Sequence, residues 1–343
     1  MRFSGSCVAA SGDFLTDRRL ASGAVAVVVT AAFAVALPLL TYSLSLALFG
    51  LAHVAAEMRY VGRRFGGRLQ GGLLAGMVVL LSAVVVLRLA QQTGWWQGTD
   101  RLQTELAVVV GLAGLTLPAL LRHAGIPFGI GVAITSVLAL GLLVSPMGTA
   151  LLLACLHNLT PVGFLAEALR GRERRAALGL AAVVFGAVPL LILSGIPATC
   201  LDAVGLHAPD VTVLPTGPLA AQLGAYLPRS LHEAAWASDA FSALVFAQCM
   251  HYTAVLHVLP GIAIRDAAPP EAPARQWIWR GLTLFIAAAL LAGFLVDFKM
   301  ARGWYGIFAA VHAWVEVPLL LLAMLPLAAF QDGTSFKTSS PVP

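Results

Sequence analysis

The chain has 343 residues, 59% of them hydrophobic and only 11% charged, with a mean hydropathy of +0.88 and a formal net charge of +5. An ordinary soluble domain is about 45–50% apolar and about 25% charged. So few charges cannot cover a water-facing surface, which excludes a soluble globule, a disordered chain and a fibrous repeat. The composition predicts an all-α, polytopic integral membrane protein with no nucleic-acid partner. Cys7, Cys155, Cys200 and Cys249 show neither CxxC nor metal-ligand spacing, so no disulfide framework is expected.

Residues 1–20 read as a cytoplasmic N-terminal segment, because Arg18 and Arg19 immediately precede a long apolar run. A spanning helix needs about 20 mostly apolar residues. That rule predicts about ten spans, near 21–38, 41–60, 69–91, 104–122, 126–145, 147–169, 175–197, 239–262, 277–297 and 305–329. A single helix over 21–60 would be about 60 Å long, twice the hydrocarbon core. A break near Pro38 is therefore expected, as a tight hairpin or a half-helix followed by a full one. Residues 21–330 form one transmembrane domain. Its longest extramembrane stretch, about 198–238, lies on the outer side, and an interfacial helix is expected over 218–236. Residues 331–343 read as a polar cytoplasmic tail.

Charge placement orients the chain. With both termini cytoplasmic, Arg2, Arg18, Arg19, Arg59, Arg63, Arg64, Arg68, Arg122, Arg170, Arg172, Arg174, Arg175, Arg265, Arg275, Arg280 and Lys337 fall on the cytoplasmic side. Only Arg88, Arg101, Arg229, Lys299 and Arg302 fall on the other. That asymmetry satisfies the positive-inside rule.

Ionisable groups within spans are expensive and mark functional sites. Of eight histidines, His123, His207 and His232 fall at ends or in loops, and His53, His157, His251, His257 and His312 fall inside spans. They lie on the second, sixth, eighth and tenth predicted spans, which all run from outside to inside. His157 precedes Arg170 by 13 residues and His251 precedes Arg265 by 14, which puts both near mid-membrane. Glu57 follows His53 by four residues and Glu316 follows His312 by four, a spacing that shares a helix face. A single membrane histidine is ordinarily an interhelical hydrogen-bond partner. Five on four helices favour a shared site, because neutral imidazole is the commonest metal ligand.

His53, His157, His251, His257 and His312 are therefore the candidate metal ligands, with Fe(II) the expected ion. Glu57, Glu316, Asn158 and Tyr252 are expected to support them. His251 and His257 are a weak pair, since six residues turn an ideal helix so that the two point about 120° apart. Pro260 removes the helical partner of the Leu256 carbonyl, and Pro161 is expected to kink the helix carrying His157. Glu167 is expected to pair with Arg170 or Arg174. His232 and Glu233 read as solvated surface.

The stretch Leu48-Phe49-Gly50-Leu51-Ala52-His53, continued by Glu57, resembles the opening signature of the Brp/Blh family of bacterial membrane β-carotene dioxygenases. That family has a Gly-Leu-Pro-His-Gly type run with an Asp four residues after the histidine. Gly50, Leu51, His53 and Glu57 match in kind, while Ala52 replaces the proline and Val54 the glycine. Phe246, His251, Tyr252 and His257 loosely resemble the family's aromatic-flanked histidine pair, whose members are closer in sequence. The resemblance covers three short segments. It implies a helical membrane fold in a bacterial inner membrane, histidine-held iron, and oxidative cleavage by O2 of an apolar, lipid-soluble substrate of carotenoid, isoprenoid or lipid-like kind. Two other classes stand beside this metal-dependent oxidoreductase. One is a b-haem redox protein, with His157 and His251 as axial ligands. The other is a transporter or membrane assembly factor with a histidine proton relay, for which repeated halves are not evident.

Overall fold

In the computed structural model, residues 17–69, 71–96, 100–122, 125–265 and 273–325 are described. Cys7, His123, the tail expected at 331–343 and most of the segment expected at 1–20 lie outside them. The described chain is all-helical. Its elements are α1 (Asp17–Ala36), α2 (Pro38–Phe65), α3 (Gly71–Gln92), α4 (Arg101–Gly114), α5 (Leu117–Arg122), α6 (Ile126–Val144), α7 (Pro146–His157) and α8 (Thr160–Ala168). There follow α9 (Gly171–Ala182), α10 (Val188–Leu193), α11 (Ile196–Ala203), α12 (Leu219–Gln222), α13 (Ala237–Thr253), α14 (Leu259–Arg265), α15 (Pro273–Val296) and α16 (Phe298–Ala323).

Among the described residues, seven helices are long and apolar enough to cross a membrane, or eight if the bent pair α7–α8 is one span. The count of ten is not established, because over the remaining two helices, α1 and α15, the described apolar stretches begin at Ser22 and at Gly281. A break does fall at Pro38, which opens α2, so 21–60 is two helices. The expected interfacial helix over 218–236 is instead the single turn of α12 and two 3₁₀ turns, Leu223–Ala225 and Arg229–Leu231. Gly224, Pro228 and the lack of a sustained apolar period explain the interruption. This outer segment packs back on the bundle through buried Leu214, Leu219, Leu223, Tyr226 and Leu227.

Half or more of the spanning stretch is buried in α2, in α13 with its continuation, and in α16. Less than a fifth is buried in α3, α6 and the span from α9 to α10. The first three are therefore the inner helices, with α2 packed against both α13 and α16. Two positions let α16 come close. A Cβ on Gly50 of α2 would sit 3.0 Å from the Tyr305 ring, and one on Gly163 of α8 would sit 2.5 Å from Leu320. Two π-helical segments, Val183–Ala187 and Ala254–Val258, each end two residues before a proline, Pro189 and Pro260. The prolines have no N–H for the carbonyls of Phe185 and Leu256, and a wider turn accommodates the fault.

Two buried Arg–Glu groups tie helices together. Glu167 on α8 accepts from Arg64 at 2.8 Å and from Arg68 at 2.7 Å, and Arg68 also reaches the Leu322 carbonyl of α16. Glu167 was expected to pair with Arg170 or Arg174. Its carboxylate instead turns inward to α2, and Arg170 donates to the Glu167 backbone carbonyl. On α4, Glu105 accepts from Arg88 at 2.6 Å and from the Trp314 indole at 2.7 Å. Removing one member of a buried pair strands the other, at about 3–5 kcal/mol. Glu167→Ala should therefore lower the unfolding temperature in detergent well below that of Arg64→Ala, because Arg64 is the more exposed partner. Equal stability of the two variants would contradict this.

Candidate metal centre

The site begins at a fault in one helix. Pro161 has no N–H for the His157 carbonyl, so the helix stops at His157 and restarts at Thr160 after a 47° bend. The Thr160 hydroxyl takes over that carbonyl at 2.8 Å. His157 is thereby held at a helix end in the bundle interior, facing α2, α13 and α16.

His53 of α2, His157 of α7, His251 of α13 and His312 of α16 converge. One ring nitrogen from each lies within 4.8 Å of the other three. His53 Nε2 is 3.2 Å from His312 Nε2, which is 3.1 Å from His157 Nε2. Nitrogens about 2.1 Å from an ion would be about 3.0 Å apart at adjacent octahedral positions and about 3.4 Å apart in a tetrahedron, and the observed spacings fall between the two. His53, His251 and His312 are buried, and His157 is largely so.

Hydrogen bonding determines which nitrogens are free. His53 Nδ1 donates to the Phe49 carbonyl at 3.3 Å, which leaves Nε2 with its lone pair inward. His157 Nδ1 donates to Glu316 Oε2 at 2.6 Å, which likewise leaves its Nε2 free. Two acceptor nitrogens thus flank His312 Nε2, and one hydrogen there cannot fully satisfy both. His251 is completely buried, and neither of its ring nitrogens has a hydrogen-bond partner. Such groups cost about 1–3 kcal/mol each when left unmet in an apolar interior. A cation among the four nitrogens would accept one lone pair from each ring, so the donor set can bind a metal ion.

The carboxylates lie beneath the rings. Glu316 accepts from Thr160 at 3.1 Å as well as from His157. This is the carboxylate–histidine arrangement that fixes a ligand's tautomer and direction. Glu57 Oε2 is 3.5 Å from His251 Nε2. Glu57, Glu316 and His312 form a second close group, again within 4.8 Å. Tyr252 stacks on His53 with ring centroids 4.1 Å apart. Asn158, in the helix break, is buried and lines the same cavity of about 220 Å³ as His53, His157 and His312.

His257 is not brought into this group. It lies in the π-helical segment, is exposed, and lines a groove of about 410 Å³ with Phe33, Leu44 and Phe49. Its position agrees with the angular separation expected from the six-residue spacing. His207 pairs with Asp202 at 2.9 Å, and His232 donates to the Leu227 carbonyl. Cys155, Cys200 and Cys249 are free thiols.

Several polar residues beside the cavity carried no sequence signal. Tyr226 reaches in from the outer segment and donates to Gln248, whose amide donates to Ser45 at 3.0 Å. Burial pushes the Tyr226 phenol well above its ordinary pKa, so it remains a donor. Tyr305 and Arg88 also line the cavity. A spacing rule within one helix could not find them, because each pairs with a residue far away in the chain. Comparison with known protein families, with curated proteins and with solved structures found no match.

The arrangement separates ligands from bystanders. His157→Ala and His312→Ala should abolish metal retention by detergent-purified protein, and His257→Ala should retain the wild-type content. Glu316→Ala should weaken affinity about 10–100-fold, the usual effect of losing a ligand's orienting partner. Metal analysis after dialysis against graded chelator checks all of these. Loss of metal in His257→Ala alone would contradict them.

Proposed function

We propose that the chain is a multi-pass membrane non-haem iron oxygenase that uses O2 to cleave an apolar, lipid-soluble polyene, as in the Brp/Blh family that its Gly50–Glu57 stretch resembles. The observation that carries this reading is the convergence of four histidines, from four helices, whose free nitrogens face one another at a buried point. An all-histidine set suits Fe(II) with room for further ligands. Bound there, iron would supply one-electron and O2 chemistry that side chains alone cannot.

The chain's own groups do the rest. His53, His157, His251 and His312 would hold the ion. Glu316 and the Phe49 carbonyl aim His157 and His53, and Tyr252 packs the His53 ring in place. Substrate access is offered from the lipid side. A nearly wholly apolar cavity of about 440 Å³, lined by Val54, Met58, Leu89, Phe308 and Val311, borders His312. On the opposite side, Tyr252 forms a common wall between the groove of about 410 Å³ and the histidine cavity. Apolar walls suit a hydrocarbon ligand and keep bulk water from the centre.

A haem reading is less well supported. The His157 and His251 ring centroids are 4.5 Å apart, and His53 and His312 adjoin them, which leaves no plane for a macrocycle between two axial ligands. A proton relay would not call for four rings around one point. For the frame, the basic asymmetry supports cytoplasmic termini in a bacterial inner membrane, with α1 and α15 completing ten spans around the eight.

Detergent-purified protein should contain iron and show no Soret band. With β-carotene as the probe, it should bleach the polyene and yield aldehyde products in air but not anaerobically. His53→Ala should do neither. A Soret band would contradict the reading, and so would air-dependent bleaching that survives His53→Ala.

A further inference from the structure

We infer that Glu57 and Glu316 form a second cation site beside the four histidines, so that the buried centre holds two ions. The inference rests on the metal-centre reading above and extends it from one ion to two. It starts from a contrast among the buried glutamates. Glu105 is matched by Arg88, and Glu167 by Arg64 and Arg68. Glu57 and Glu316 are as deeply buried, at 1% and 2% exposure, yet no guanidinium or ammonium group reaches either among the described residues. Buried charges are ordinarily paired or bound to metal.

Glu57 makes the case sharper. Neither of its carboxylate oxygens has a hydrogen-bond partner. Its nearest basic group is His251 Nε2 at 3.5 Å, and His251 is itself a candidate ligand of the first ion. Glu57 stands one helical turn from His53, and Glu316 one turn from His312, so the two carboxylates lie on the same side of the histidine cluster. One oxygen of each and one His312 nitrogen lie within 4.8 Å of one another. This set differs in kind from the first. Two hard carboxylate oxygens suit a first-row divalent ion such as Fe(II) or Mn(II), and His312, whose one lone pair is given to the first ion, stands between the two sites. Two adjoining ions in buried sites are commonly about 3.5–4 Å apart.

The test uses the full-length protein in detergent, stripped of metal and loaded anaerobically with excess Fe(II), then desalted and assayed for iron per chain. Wild type should hold about two ions and Glu57→Gln about one. In a parallel sample loaded with Mn(II) alone, wild type should give the multiline spin-resonance spectrum of a coupled pair. One iron per wild-type chain with an isolated-ion Mn(II) spectrum would overturn the second site and leave the four-histidine reading standing. No bound metal in wild type would overturn both. Two irons in Glu57→Gln would overturn the assignment to this carboxylate. Should Glu57→Gln fail to fold, the wild-type count and the coupled spectrum decide.

Discussion

An imidazole nitrogen with a free lone pair, held away from water, needs a donor or a cation. Four such side chains meet in the middle of this bundle, and the rest of the architecture is arranged around them. Two of the nitrogens have had their alternatives removed because the far side of each ring donates a hydrogen bond, to the Phe49 carbonyl and to Glu316. A third ring, His251, has no hydrogen-bond partner at either nitrogen. In hydrocarbon these unmet groups would weigh against folding. Shared coordination of a metal ion would turn them into a bond that joins α2, α7, α13 and α16.

That convergence depends on breaks as much as on helices. His157 can face inward because Pro161 ends its helix, and Thr160 both closes the broken backbone and steadies Glu316. The π-helical turn after α13 plays a related part. It absorbs Pro260 and carries His257 out to the lipid-side groove while His251 stays inside. The Arg–Glu groups at Glu167 and Glu105 then fasten α8 to α2 and α4 to α3 and α16. They are the fixed points against which the ligand helices keep their register.

Much of this was legible before any coordinates. Composition identified a helical membrane chain, and Pro38 signalled the break between α1 and α2. Their place inside apolar runs singled out the histidines of four helices, and a four-residue spacing attached Glu57 and Glu316 to them. The information ran out where partners are distant in sequence. Glu167 reaches Arg64 and Arg68 rather than its own neighbours, and Glu105 meets Arg88 and Trp314, 17 and 209 residues away. His257 satisfied the same apolar setting as His251, and only its angular position separated them. The outer segment was overread as one helix because its apolar residues follow no single period and pack downward instead. Of the ten spans counted, the described residues establish seven to eight, and α1 and α15 are described as apolar only from Ser22 and from Gly281 onward.

The central claim is that four imidazoles surround an ion. X-ray absorption at the iron edge, on purified full-length protein, tests it most directly. The account predicts a first shell dominated by nitrogen or oxygen at about 2.1 Å with the outer-shell pattern of several imidazole rings, strongly diminished in His251→Ala. An iron spectrum without imidazole scattering, with porphyrin scattering, or unchanged in that variant would contradict it.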